Sequence, residues 1–151
     1  MANTQAMCTS FKSEILSGIH ALGTTVIRAG TGADTLKAAL YLASATVNAA
    51  TTAYSATGEV SGTGYSAGGI TVTNATAPTS TGTTAYWTPS ASFTYTNVTL
   101  TTSFDCVLVY NSTQSNKAIS AHTFGAQTIT AGTFVLSMPT NDSTNALIRI
   151  A

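Results

Sequence analysis

Two histidines, two cysteines and five carboxylates are the side chains here best able to move protons, hold metals or act as nucleophiles. His20 closes a short helical stripe, and His122 sits inside a strand pattern. The acids Glu14, Asp34, Glu59, Asp105 and Asp142 are scattered along the chain. A hydrolytic triad needs a histidine beside both a serine and an acid, and no local spacing brings the three types together. No His-Glu-x-x-His motif offers a metal. Asp105 precedes an apolar run and reads as a strand-edge or turn carboxylate satisfied by backbone N–H groups. Cys8 and Cys106 lie far apart, without a Cys-x-x-Cys pair or a nearby histidine, which argues against zinc. Cys106 reads as a small core residue. Cys8, in a polar segment, is either a plain thiol or a cross-link to a neighbouring subunit. The expected catalytic, cofactor and metal sites are therefore none.

Gly58–Gly69 holds five glycines and could cradle a phosphate, but no Lys-Ser/Thr pair and no helix follow it, as a P-loop requires. The alternating Ile70-Thr71-Val72-Thr73 follows instead. The glycines are read as a long turn or bulge with backbone in positive φ.

Charge is the scarcest resource. Five Lys+Arg and five Asp+Glu give net charge zero and 7% charged residues, against about 25% in an average domain. Lys12, Arg28, Lys37, Lys117 and Arg149 stand singly, so no basic patch exists to neutralise phosphates, and nucleic acid is not an expected partner. Near-zero net charge favours association over colloidal repulsion. The composition suits a subunit that sits against other protein.

The apolar content of 44% is ordinary, so the chain has material for a core. No apolar stretch approaches the 18 or so residues of a transmembrane helix, and the start has no basic segment followed by an apolar run, so neither a membrane nor a secretory signal is expected. The triplets at Asn74, Asn97, Asn111 and Asn141 are read as chance products of a Ser/Thr-rich chain.

Residues 1–9 read as an extended polar arm. Ser10 is a plausible helix cap, with Phe11, Ile15, Leu16 and Ile19 forming one apolar stripe, so a short amphipathic helix is expected over 10–21, closed by Gly23. A short strand over 24–28 and a Gly-rich turn over 29–33 follow. Leu36–Ala43 reads as a strand covered on both faces, and 44–56 as loop. Further strands are expected at 70–73, 84–88, 93–100, 104–110, 117–124, 127–130, 133–138 and 146–150. Asn111–Asn116 joins two of them as a hairpin. Tyr86 and Trp87, adjacent in one strand, must point to opposite faces, one to the core and one outward. Short strands with Gly/Asn/Ser turns predict a mostly β chain: an antiparallel, jelly-roll-like β-sandwich over 10–151 with one N-terminal helix.

Several segments carry a likeness in their order: Ser10–His20, Leu36–Tyr41, Thr52–Ser55, Glu59–Tyr65, Val109–Thr113 and the closing Ala146–Ala151. Together they resemble a family of small virion structural proteins of tailed bacteriophages. Residues 22–35 form a longer connection than the family's. The resemblance implies a particle component without enzyme activity, best a head decoration or cement protein that ties capsomers together. Its implied partners are the major capsid protein and copies of itself, as dimers or trimers. Its implied location is the capsid surface, after synthesis in the bacterial cytoplasm. A tail, neck or fibre component is the alternative, and a receptor- or glycan-binding module using exposed aromatics is another. The expected partner contacts are Asn3, Thr4, Gln5, Met7 and Cys8 on the arm, and Trp87.

Overall fold

The computed structural model describes residues 2–16, 18–23 and 32–151. The expected strand at 24–28 and most of the turn after it lie outside these. The elements are β1 (Ala6–Met7), α1 (Thr9–Leu16), β2 (Leu36–Leu42), β3 (Ile70–Thr71), β4 (Thr79–Thr81), β5 (Thr84–Trp87), β6 (Phe93–Asn111), β7 (Lys117–Leu136) and β8 (Ile148–Ile150). They form two antiparallel sheets, one ordered β1-β7-β6-β2-β3 and the other β4-β5-β8. The chain is mostly β and sandwich-like, as its strand pattern predicts.

The helix is shorter than its apolar stripe. It ends at Leu16 because Gly18, at φ 67°, turns into the left-handed region and its N–H closes on Ile15 O at 2.9 Å. Phe11 is fully buried beneath the helix and meets the His20 ring edge-on at 4.7 Å. β2 is buried on both faces, as a run reading Leu-Lys-Ala-Ala-Leu-Tyr-Leu requires.

The largest departure is in the second half of the chain. Five expected strands are two long ones, β6 and β7, paired from Phe93↔Leu136 to Asn111↔Lys117. Gly125, the Ala131-Gly132 pair and Asn97 do not end strands; they mark irregularities within them. Asn97 (φ 54°) and Ala131 (φ 46°) take positive φ at shifts of register, the local kink that a bulge produces. Thr101, Thr102 and Ser103 bulge outward between the pairs Leu100↔Ile129 and Phe104↔Gln127, all three exposed. The ribbon consequently folds over. Phe124 and Phe134 have ring centroids 5.1 Å apart, whereas ten residues of straight strand would separate them by about 33 Å. Phe104 closes this aromatic cluster, edge-on to both.

The core fills the space inside the fold. Phe11, Leu40, Trp87, Phe93, Leu100, Phe104, Leu108 and Ile119 are its large, fully buried members. Trp87 alone removes an area that stabilises the fold by about 4–6 kcal/mol at 25 cal/mol per Å².

Candidate docking surface

The expected contact residues divide into two groups. Thr4 and Gln5 are exposed, and Met7 is half-buried against the core. The others turn inward. Asn3 donates through Nδ2 to Asp105 Oδ1 (2.6 Å) and to Leu42 O (3.1 Å), and accepts from Val47 N–H at 2.8 Å. The backbone is tied at Thr4 to Val47 O, at Cys8 to Ile119 O and at Thr9 to Ala49 O, and Ala6 and Met7 pair with β7. The N-terminal segment is therefore laid along its own domain, held by its backbone and the Asn3 amide, while the Thr4 and Gln5 side chains face outward. Among the described residues, Asp105 accepts from the Asn3 amide and from no backbone N–H group.

Cys8 is 0% exposed, so its thiol has no route to a neighbouring subunit in this fold. Cys106 is equally buried, and burial pushes its thiol up to about 12. Trp87 is the core member of the Tyr86-Trp87 pair: it is 1% exposed and its Nε1–H donates to Thr76 O at 2.9 Å. Half-exposed Tyr86 is the outward one. Trp87 is corrected from contact residue to core residue because β5 directs its inner face at that position.

Two polar clusters organise the loops, and a third sits on β7. Asp34, 5% exposed, accepts from Ala21 N–H (2.7 Å), Asn111 Nδ2 (2.8 Å) and Gln114 Nε2 (3.2 Å), and His20 Nδ1 lies 3.0 Å from the same Asn111 nitrogen. Glu59 accepts from Tyr54 OH (2.6 Å), Tyr65 OH (2.8 Å) and Gly68 N–H (2.7 Å). Burial first, then this carboxylate, raises both tyrosines above their ordinary range. Sequence reasoning missed Glu59, since its three partners sit on an irregular loop with no periodicity to betray them. Ser120 Oγ and His122 Nε2 share a 2.8 Å hydrogen bond. Burial lowers His122 to about 4, so its ring is neutral near pH 7. Ser120 is only 2% exposed, so its hydroxyl completes the histidine and is not presented outward.

Gly64-Tyr65-Ser66-Ala67-Gly68 has the spacing of a nucleophile elbow, which needs a strand before it and a helix after it. Here β3 follows, and the loop instead lies flat along β6. A Cβ on Gly62 or Gly64 would strike the carbonyl oxygens of Thr99 and Asn97 respectively. Thr99 N–H donates to Thr63 O at 2.9 Å. The glycines are there so that this loop can cover one side of β6. Among the described residues, no three His, Cys, Asp or Glu side chains converge as a metal group, and no helix is long and apolar enough to cross a membrane.

The other side of the ribbon is different. β1 covers β7 only at Ser120 and Ala121. From His122 to Leu136, among the described residues, β7 has β6 on one side and no strand on the other. Residues 118–141 contain no Lys, Arg, Asp or Glu. Natural edge strands are usually blunted by charge, proline or cover, because their unpaired N–H and C=O groups accept another chain. Beside this edge, a cleft of about 460 Å³ runs between β1 and β8, lined by Met7, Ser120, His122, Pro139, Leu147 and Arg149 among others. Among the described residues, Val135 (49%) and Ile150 (44%) are the exposed large apolar side chains. This open, charge-free edge is the surface best suited to hold a protein neighbour.

Comparison of the chain with protein-family models, with curated proteins and with solved structures finds no match.

Proposed function

We propose that the chain is a structural subunit of a tailed-phage particle, without enzyme activity, and most specifically a head decoration or cement protein that binds the capsid lattice and ties capsomers together. The observation that carries the reading is the edge of β7, which among the described residues has no strand beside it beyond Ala121 and carries no Lys, Arg, Asp or Glu from 118 to 141. A protein that had to stay apart from others would guard such an edge. One that works by docking leaves it open. The resemblance of the ordered segments Ser10–His20 through Ala146–Ala151 supports the virion class, and a rigid, mostly β body of low charge suits a lattice clamp. With its N-terminal segment spent on its own domain, the clamp works through the β7 edge and the β1–β8 cleft, not through a free arm.

Cryo-electron microscopy of the purified particle tests this. Density for the fold on the outer capsid lattice, with β7 against a neighbouring chain, is the expected result. Absence from the head overturns the cement role, and absence from the particle overturns the virion role. Copy number separates the tail, neck or fibre alternative: hundreds of copies fit a head protein, a dozen or fewer fit the others. A glycan-binding module loses its best aromatic platform with Trp87 in the core.

A further inference from the structure

We infer that the open edge of β7 pairs with the same edge of a second copy, antiparallel, about a two-fold axis at Ile129. This rests on the reading of that edge as an assembly surface and names its occupant. Three observations lead to a copy of the chain in preference to another protein.

First, the strand is nearly symmetric about Ile129. Phe124 and Phe134 lie five positions to either side of it, and Thr128 and Thr130 lie one position to either side. In an antiparallel pair, opposed residues must point to the same face. Phe124 and Phe134 are both half-buried on the core side, and Thr128 and Thr130 are both exposed. Gln127 opposite Ala131, Gly125 opposite Thr133 and His122 opposite Leu136 match in exposure as well, whereas Thr123 opposite Val135 and Ala126 opposite Gly132 do not. Two-fold pairing would oppose each phenylalanine to the other copy's phenylalanine and each of these threonines to the other copy's threonine, like against like, a correspondence that a different protein would not require. Second, the run from 118 to 141 has no charge, so two copies meet without like-charge repulsion, the device by which natural edges refuse their own kind. Third, Phe124 and Phe134 are half-buried at the rim of an aromatic cluster whose inner member, Phe104, is fully buried. A second strand alongside would finish covering them. The ribbon's bend is no obstacle, because a strand added at the edge follows the same curvature.

The size of the contact sets its strength. Fifteen residues at about 3.3 Å each give an edge of about 50 Å measured along the bent strand. With a contact about 10 Å wide, the pair buries on the order of 1,000 Å² in total, at the lower limit of a specific interface. The dimer is therefore concentration-dependent in solution and secured by further contacts in an assembly.

Sedimentation velocity of the full chain, from low micromolar to near-millimolar concentration, tests this. The wild type is expected to pass from monomer to dimer. Thr128→Lys/Thr130→Lys, which sets four ammonium groups around the axis, is expected to weaken dimerisation at least tenfold with an unchanged circular dichroism spectrum. Thr57→Lys, in the loop near β2 on the opposite side of the sheet, is expected to dimerise as wild type does. Ile129→Cys is expected to give a disulfide-linked dimer on mild oxidation, since its thiol faces its own copy while Cys8 and Cys106 are buried. A wild-type monomer throughout, or a dimer indifferent to the lysine pair, overturns self-pairing. If the wild type is monomeric but the lysine variant fails to enter particles, the edge meets another protein, so self-pairing falls and the assembly surface stands. If it is monomeric and the variant enters normally, both fall.

Discussion

Asn3 donates to Asp105 across 102 positions of sequence, at 2.6 Å. That bond, with the Asn3 contacts to Leu42 and Val47, pins the start of the chain to the back of β6. Asn3→Ala leaves Asp105 Oδ1, Leu42 O and Val47 N–H without this partner, at a cost of about 1–3 kcal/mol. For a chain of this length that lowers the melting temperature by about 2–12 °C. Calorimetry checks the value, and limited proteolysis should cut the variant near its N-terminus sooner than the wild type.

Glu59→Gln should destabilise the fold by about 1–3 kcal/mol. The carboxylate accepts three donors; an amide has one acceptor oxygen, and its NH₂ would face a hydroxyl proton. Tyr65→Phe removes one of the three and also frees Leu40 N–H, which donates to Tyr65 OH at 3.0 Å. Denaturant midpoints should rank wild type above either variant.

Acid should weaken the fold in a defined window. His122 titrates near 6.5 when unfolded and near 4 in the fold, because burial disfavours its charged form. Between these values the unfolded chain binds more protons, so stability falls as pH drops from about 6.5 to about 4 and this contribution then levels off. The group is half-buried, so a loss of about 2 kcal/mol is expected, less than the full 1.36 kcal/mol for each of the roughly 2.5 pH units between the two values. His122→Gln should flatten that slope in pH-dependent unfolding curves.

Alkali should act through groups that the fold keeps neutral. Burial raises Tyr41 and Tyr110 to about 12 from 10.0, and Cys106 to about 12 from 9.0. Tyr54, Tyr65 and Tyr95 are raised too, burial being the largest cause. A raised pKa means the unfolded chain loses its proton first, so stability is complete below about pH 9 and declines toward pH 12. Tyrosinate absorbance from these residues should appear together with unfolding, not ahead of it.

Assembly should resist salt. With 7% charged residues and no charge along the open edge, there is little for ions to screen. At about 1 M salt, where screening acts within about 3 Å, the oligomer should persist. Dissociation there would point to charged contacts elsewhere on the surface.

Much of the fold was legible from alternation and turn residues. β2 announced burial on both faces, and Asn111–Asn116 announced a hairpin, which the structure closes with Ser115 and Asn116 at positive φ. The bend of β6 and β7 was not legible. Glycine punctuates turns and bulges alike, and only pairing across the ribbon decides which Gly125 and Gly132 mark. Alternation put Tyr86 and Trp87 on opposite faces but could not say which face was inner, because that depends on which side of the β4-β5-β8 sheet packs on the core, the side that buries Trp87 and its cross-strand partner Ile148. The polar start read as a free arm because side-chain amides and hydroxyls look alike whether they meet solvent or, as with Asn3, the chain itself. The absence of charge from 118 to 141 was visible in the sequence; that this stretch forms an uncovered edge came only with the sheet order.

Hydrogen exchange along β7 tests the central claim most directly, with the dilute free chain compared to the protein in purified particles. If this edge is where neighbours dock, outward-facing amides between 123 and 136 exchange quickly in the free chain and slow by at least tenfold in the particle, while β2 amides stay protected in both. Equal exchange of the β7 edge in the two states would contradict the account.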